Sequence, residues 1–168
     1  MTVRLLLITS VLILTPRAEE LYKCVENVND AFLRADYGET IRRGDSCFEQ
    51  LISAARGEQV ALQSKNTVLP TGRISEFERY RIFRNAALNS LSTVLYLKGI
   101  AAEHLFSDSG DKRYDGIAVE AYKLLCSCYS LGRKWSASGV FTSPCEDIRP
   151  KLLNRGISET SACRAWNK

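Results

Sequence analysis

Histidine and methionine each occur once, and proline four times, in this chain of 168 residues. With His104 as the only imidazole, there is no two-histidine metal site and no spare base for a serine-histidine-aspartate triad. No glycine-rich phosphate loop, zinc-ligand spacing or calcium-binding loop is present either, so neither a metal nor another cofactor is expected. Beyond residue 15 no segment approaches the roughly 20 apolar residues needed to cross a bilayer. No stretch alternates apolar and polar residues for long enough to build a sheet. Charge is nearly balanced, 23 Lys+Arg against 19 Asp+Glu, and Arg79, Arg81 and Arg84 share their stretch with Glu76 and Glu78. That pattern reads as a solvated helix face, whereas a nucleic-acid partner calls for cations gathered on one side.

What is present begins with an export signal. Met1 and Arg4 precede the apolar run Leu5–Thr15, which Pro16, Arg17 and Ala18 close. This is the three-part form of a secretory signal peptide, so residues 1–18 are expected to be removed and residues 19–168 to fold as one domain. Loss of Arg4 and Arg17 would leave 21 Lys+Arg against 19 Asp+Glu, a net charge of +2. A secreted or periplasmic protein without a stable membrane anchor is the expectation.

Six cysteines, Cys24, Cys47, Cys126, Cys128, Cys145 and Cys163, all follow that segment. An oxidising compartment would pair an even set of this kind. Side chains two apart on a helix project to nearly opposite sides, so Cys126 and Cys128 should not bond each other. The expected set is Cys24 with Cys47, and Cys126 and Cys128 tied to Cys145 and Cys163 in an order left open.

Helical spacing dominates the remainder. Leu21, Val25, Val28, Phe32 and Ala35 share one face of a helix over about 19–36, with Gly38 as its stop. Ser46 and Glu49 form the pattern of a capping box for a second helix over 46–63, with Thr40 as an earlier start. Ser64 to Ile74 is a loop. Ser75 and Glu78 open a long third helix running from Phe77 through Tyr80, Phe83, Ala87 and Leu91 to Leu105; from Val94 to Ala102 its apolar residues cover the whole circumference, the mark of a central helix. Tyr114 to Cys128 makes another helical face ending at Gly132. Lys134 to Thr142 is irregular, Ser143-Pro144-Cys145-Glu146 starts a further helix that Pro150 limits or kinks, and a last short helix covers 158–166. The expected fold is an all-α, compact bundle of about six helices stapled by disulfides.

Gly99-Ile100-Ala101-Ala102, followed after a turn by Ala118, Tyr122 and Leu125, resembles the small and aromatic positions of a tetratricopeptide-like helical hairpin over about residues 94–131. The resemblance implies a protein- or peptide-binding groove.

Candidate sites follow from these elements. Trp135, Val140 and Phe141 lie in a Ser/Gly-rich stretch flanked by Cys128 and Cys145, and so form either a presented binding loop or a piece of core. Arg73 in the loop 69–73 and Arg79, Arg81 and Arg84 add candidate contacts. The acids fall mostly at helix starts, where they serve caps and dipoles, and no catalytic set converges. The leading expectation is a non-catalytic protein that binds another protein, as an inhibitor, immunity protein or adaptor does, with its oligomeric state open. Competing readings are an enzyme using Cys126 and Cys128 as a redox pair or Glu103, beside His104, as a hydrolytic acid, and a secreted effector acting on a host or competitor.

Overall fold

The computed structural model describes residues 16–136 and 138–157. The body of the expected signal peptide, the expected last helix and Cys163 lie outside the described residues. Six helices and one short hairpin make up the described chain: α1 (Pro16–Leu33), α2 (Tyr37–Ser64), α3 (Glu76–Phe83), α4 (Ala86–Ser109), α5 (Lys112–Cys128), β1 (Lys134–Trp135), β2 (Phe141–Thr142) and α6 (Pro144–Asn154). The all-α expectation holds, with the hairpin as its one exception.

α2 shows how spacing becomes packing. Thr40, Gly44, Cys47, Leu51, Ala55, Gln59 and Leu62 recur at three- and four-residue intervals, and all are buried. They form one stripe that lies against α4. α4 is buried around most of its circumference, through Leu88, Leu91, Val94, Leu95, Leu97, Ala101 and Ala102 among others, and it packs against all five other helices. Gly99 on α4 faces Tyr122 of α5, a side chain with no exposed surface.

Several boundaries differ from the sequence reading. α1 ends at Leu33, ahead of Gly38, because Ala35 takes the left-handed conformation (φ 55°) and the amides of Ala35 and Asp36 bond back to the carbonyls of Phe32 and Ala31. Asp36 then caps α2, its carboxylate accepting the Glu39 amide at 3.1 Å. Ser46 therefore sits inside α2 and caps nothing.

The long third helix is in fact two. α3 and α4 part at Arg84 and Asn85, and side chains satisfy the backbone groups that the break leaves open. Asn85 donates from its amide to the Arg81 carbonyl (2.9 Å), and Asn89 donates to that of Ile82 (2.7 Å). Glu58 reaches across from α2 to accept the Leu88 amide at 2.8 Å. Burial raises the pKa of the Glu58 carboxyl, against the lowering effect of the Leu88 and Ala87 amides. The Ser75–Glu78 capping box and the Ser143 cap with Pro144 behind it are both present.

Residues 134–142 are a two-stranded antiparallel hairpin in which Lys134 faces Thr142 and Trp135 faces Phe141. Phe141 also pairs backbone to backbone with Gly72, which ties the loop after α2 to the hairpin. Cystines join Cys24 to Cys47, between α1 and α2, and Cys126 to Cys145, between α5 and α6. Cys128 is also disulfide-bonded.

Candidate functional site

α3 is held to the body by little. Ile82 is its one buried residue, while Phe77, Tyr80 and Phe83, expected on the core side of a long helix, are between 58% and 72% exposed. The helix breaks at Arg84 and Asn85, and the aromatics before the break are exposed while Ala87, Leu88 and Leu91 after it are buried.

The hairpin supplies the opposite side. Phe141 is 4% exposed and belongs to the core, whereas Trp135 is 54% exposed. The two aromatics, expected to share one fate, are directly opposed on the hairpin and so lie on the same face, yet the backbone bridge from Gly72 covers the strand of Phe141 and leaves that of Trp135 at the surface. Phe141 meets Phe83 edge to face at 6.1 Å and Trp135 edge to face at 4.7 Å, so the buried ring supports the two exposed ones.

Between these elements lies an open groove of about 700 Å³. Ala86, Ser90, Thr93 and Leu97 line it along α4, Val25, Glu26 and Asn29 along α1, and Phe83, Trp135 and Phe141 at the end formed by α3 and the hairpin. Tyr96 lies in its wall with the Lys134 ammonium 4.6 Å from the ring centre, and the Arg79 guanidinium stands 5.7 Å from the Trp135 ring.

Arg133 is the unusual member of the lining. It is 4% exposed, and its guanidinium donates to the carbonyls of Leu69, Pro70, Leu131 and Gly132. Its backbone amide donates to the Asn89 side chain at 2.8 Å. Burial lowers its pKa, the charge of Glu146 opposing this, yet a guanidinium remains protonated throughout the physiological range. The side chain therefore fastens the loop at 69–70 to the base of the hairpin and fixes one wall of the groove.

Of the seven side chains singled out from the sequence as contacts, Trp135, Phe141 and Arg79 come together here. Val140 is half-buried on the hairpin and Arg73 is exposed in its loop, and neither lines the groove. Arg81 is half-buried away from it, and Arg84 lies over Tyr80 at 5.9 Å. Sequence reasoning missed Phe83, Tyr96, Arg133, Lys134 and the α1 wall.

The candidates for chemistry lie elsewhere. Cys126 is bonded to Cys145 and Cys128 is also in a disulfide, so they are not a free dithiol. Glu103 on α4 pairs with Lys151 and, at 3.1 Å, with Arg155 of the α6 cap, which also reaches Asp115 at 3.2 Å. Burial would raise the Glu103 carboxyl, but these cations outweigh it and hold the group below its ordinary value, as an ion-pair member and not a proton donor. His104 stacks on Tyr37 with ring centres 4.4 Å apart. Among the described residues no three His, Cys, Asp or Glu side chains are grouped to hold a metal ion, and no described helix is long and apolar enough to cross a membrane. Comparison of the chain with family models, with curated proteins and with solved structures gives no match.

Proposed function

We propose that this protein is an exported, disulfide-stapled binding protein that acts without catalysis, engaging another protein through the groove between α1, α4 and the hairpin. The observation that carries the reading is the set of exposed aromatics at and beside the groove: Phe77, Tyr80, Phe83 and Trp135. Single exposed apolar side chains are ordinary, but two exposed aromatics, Phe83 and Trp135, packed on the buried Phe141 ring at the end of a concavity have the composition of an interaction site. Helix-to-helix cystines fit an oxidising compartment, and one of them fastens α1, which forms a wall of the groove, to α2. The tetratricopeptide-like resemblance of the α4–α5 hairpin, where Gly99 meets Tyr122, points to the same class of function.

The test is a photo-reactive amino acid placed at position 135, with position 120 on the exposed face of α5 as control, in protein exposed to its native extracellular milieu. A discrete protein adduct from position 135 and none from position 120 is expected. Adducts from neither position, or from the control alone, would count against the reading. The origin of the adduct separates a self-protective partner from the target of a secreted effector.

A further inference from the structure

Cations outnumber carboxylates in the groove, and they stand next to its aromatics. Arg79, on the rim, has no carboxylate in ion-pair range among the described residues. Lys134 is shared between Asp147, at 3.0 Å, and the face of Tyr96. Arg133 lies beneath them with its donors turned to carbonyl oxygens. Glu26, on α1, is the one acid among the described residues of the lining.

We infer that the groove takes an acidic peptide segment of the partner, one in which a carboxylate sits within a turn of an aromatic or large aliphatic side chain. The inference rests on the binding role proposed above and names the chemistry of what binds. The apolar side chain would lie between Phe83 and Trp135 over the buried ring of Phe141, and the carboxylate would meet Arg79 and Lys134. Ala86 to Leu97 on α4 runs about 16 Å at 1.5 Å per residue, the length of some three helical turns or five extended residues, and small side chains line most of it. A small anion would leave that length empty, along with the aromatics that continue along α3. A bilayer surface would touch the protruding aromatics but could not fill a concavity between three elements. Charge at such a rim acts mainly on association rate and partner choice, so the signature is salt-dependent selectivity.

The experiment uses the full, unreduced protein against a displayed peptide library whose members share apolar content and differ in net charge. Acidic peptides are expected to be selected, with binding that weakens as salt rises, falls about tenfold or more in Arg79→Glu and is lost in Trp135→Ala. Arg79 and Trp135 are exposed, and an unchanged melting curve verifies that each variant is folded. Selection of neutral or basic peptides whose binding still needs Trp135 would overturn the charge inference and leave the groove as a binding site. Absence of any selected peptide, or binding indifferent to both Trp135→Ala and Phe83→Ala, would overturn both. Binding to phosphatidylserine vesicles, or self-association that Trp135→Ala abolishes, would replace the acidic segment with a membrane or with a second copy of the chain.

Discussion

The ring of Tyr122 occupies the space that a side chain at position 99 would need: a Cβ built on Gly99 would lie 2.2 Å from its Cε1 atom. Gly99 is inside α4, where glycine costs about 1 kcal/mol relative to alanine, so alanine would be favoured there if space allowed. Tyr122 is fully buried and cannot swing aside. Gly99→Ala is therefore expected to lose about 2 kcal/mol in denaturant unfolding, because overpacking outweighs propensity. Gly116→Ala on α5, where no atom lies within 4 Å of the new Cβ, should gain up to about 1 kcal/mol. A stabilised Gly99→Ala would mean that α4 and α5 are not packed as described.

Ala35 carries the opposite strain. It holds φ 55° at the end of α1, the position that glycine usually takes, and it is exposed. Ala35→Gly is expected to stabilise the protein by about 0.5–1 kcal/mol, since the left-handed conformation costs alanine more than the added freedom of glycine in the unfolded chain. Equilibrium unfolding of the two proteins side by side measures it, and a destabilised variant would place the α1–α2 turn in another conformation.

The difference between these sites and the groove is also the difference between what was and was not legible. The caps at Ser75 and Ser143, the circumference of α4 and the Cys24–Cys47 pair were readable because each rests on spacing within a few turns or on the arithmetic of paired thiols. The break at Asn85 was not, because what satisfies the start of α4 is Glu58, thirty residues back in the chain. With that break hidden, Phe77, Tyr80 and Phe83 read as core. Trp135 and Phe141 were noticed, but their division between surface and core follows from the pairing of Phe141 with Gly72, a contact that local composition does not encode. The α1–α2 turn, with Ala35 left-handed and Asp36 as the cap, is a local feature that was also missed, whereas the features missed at the groove are tertiary contacts.

Acid should loosen the junction of α4, α5 and α6. The folded pKa of Glu103 lies below its ordinary value of 4.5, so its contribution is fully present above that pH and is lost as the pH falls through the lower folded value. Glu103→Gln is expected to lose about 1–2 kcal/mol near neutrality, leaving Lys151 and Arg155 without their shared carboxylate, and to show a flatter decline in stability below pH 4.5. Urea unfolding at a series of pH values tests this. Parallel curves for the two proteins across the acid range would exclude Glu103 as the titrating group.

Trp135 and Phe141 should separate binding from stability. Phe141→Ala removes a core ring that supports two others and is expected to cost about 3 kcal/mol or more. Trp135→Ala, at an exposed position, should cost less than about 1 kcal/mol while removing the aromatic that caps the groove. Thermal melts of both variants decide which of them is fit for binding work, and equal losses would mean that Trp135 is structural.

Mapping the cystines of unreduced protein after alkylation bears on the redox reading. Cys24 should be recovered with Cys47 and Cys126 with Cys145, with no cysteine alkylated. Cys128 is disulfide-bonded, and the count of six leaves it Cys163, so a Cys128–Cys163 peptide is the expected third species. Each of the two described bonds closes a loop of about twenty residues, for which chain entropy gives about 3 kcal/mol. Loss of the Cys24–Cys47 bond would act on the groove as well as on stability, because Val25, Glu26 and Asn29 form the α1 wall directly after Cys24. The double variant Cys24→Ser/Cys47→Ser is expected to bind groove ligands more weakly than its lowered melting temperature alone accounts for when both proteins are assayed well below their transitions. Recovery of Cys126 bonded to Cys128 would instead remove the α5–α6 staple and return that pair to consideration as a redox site.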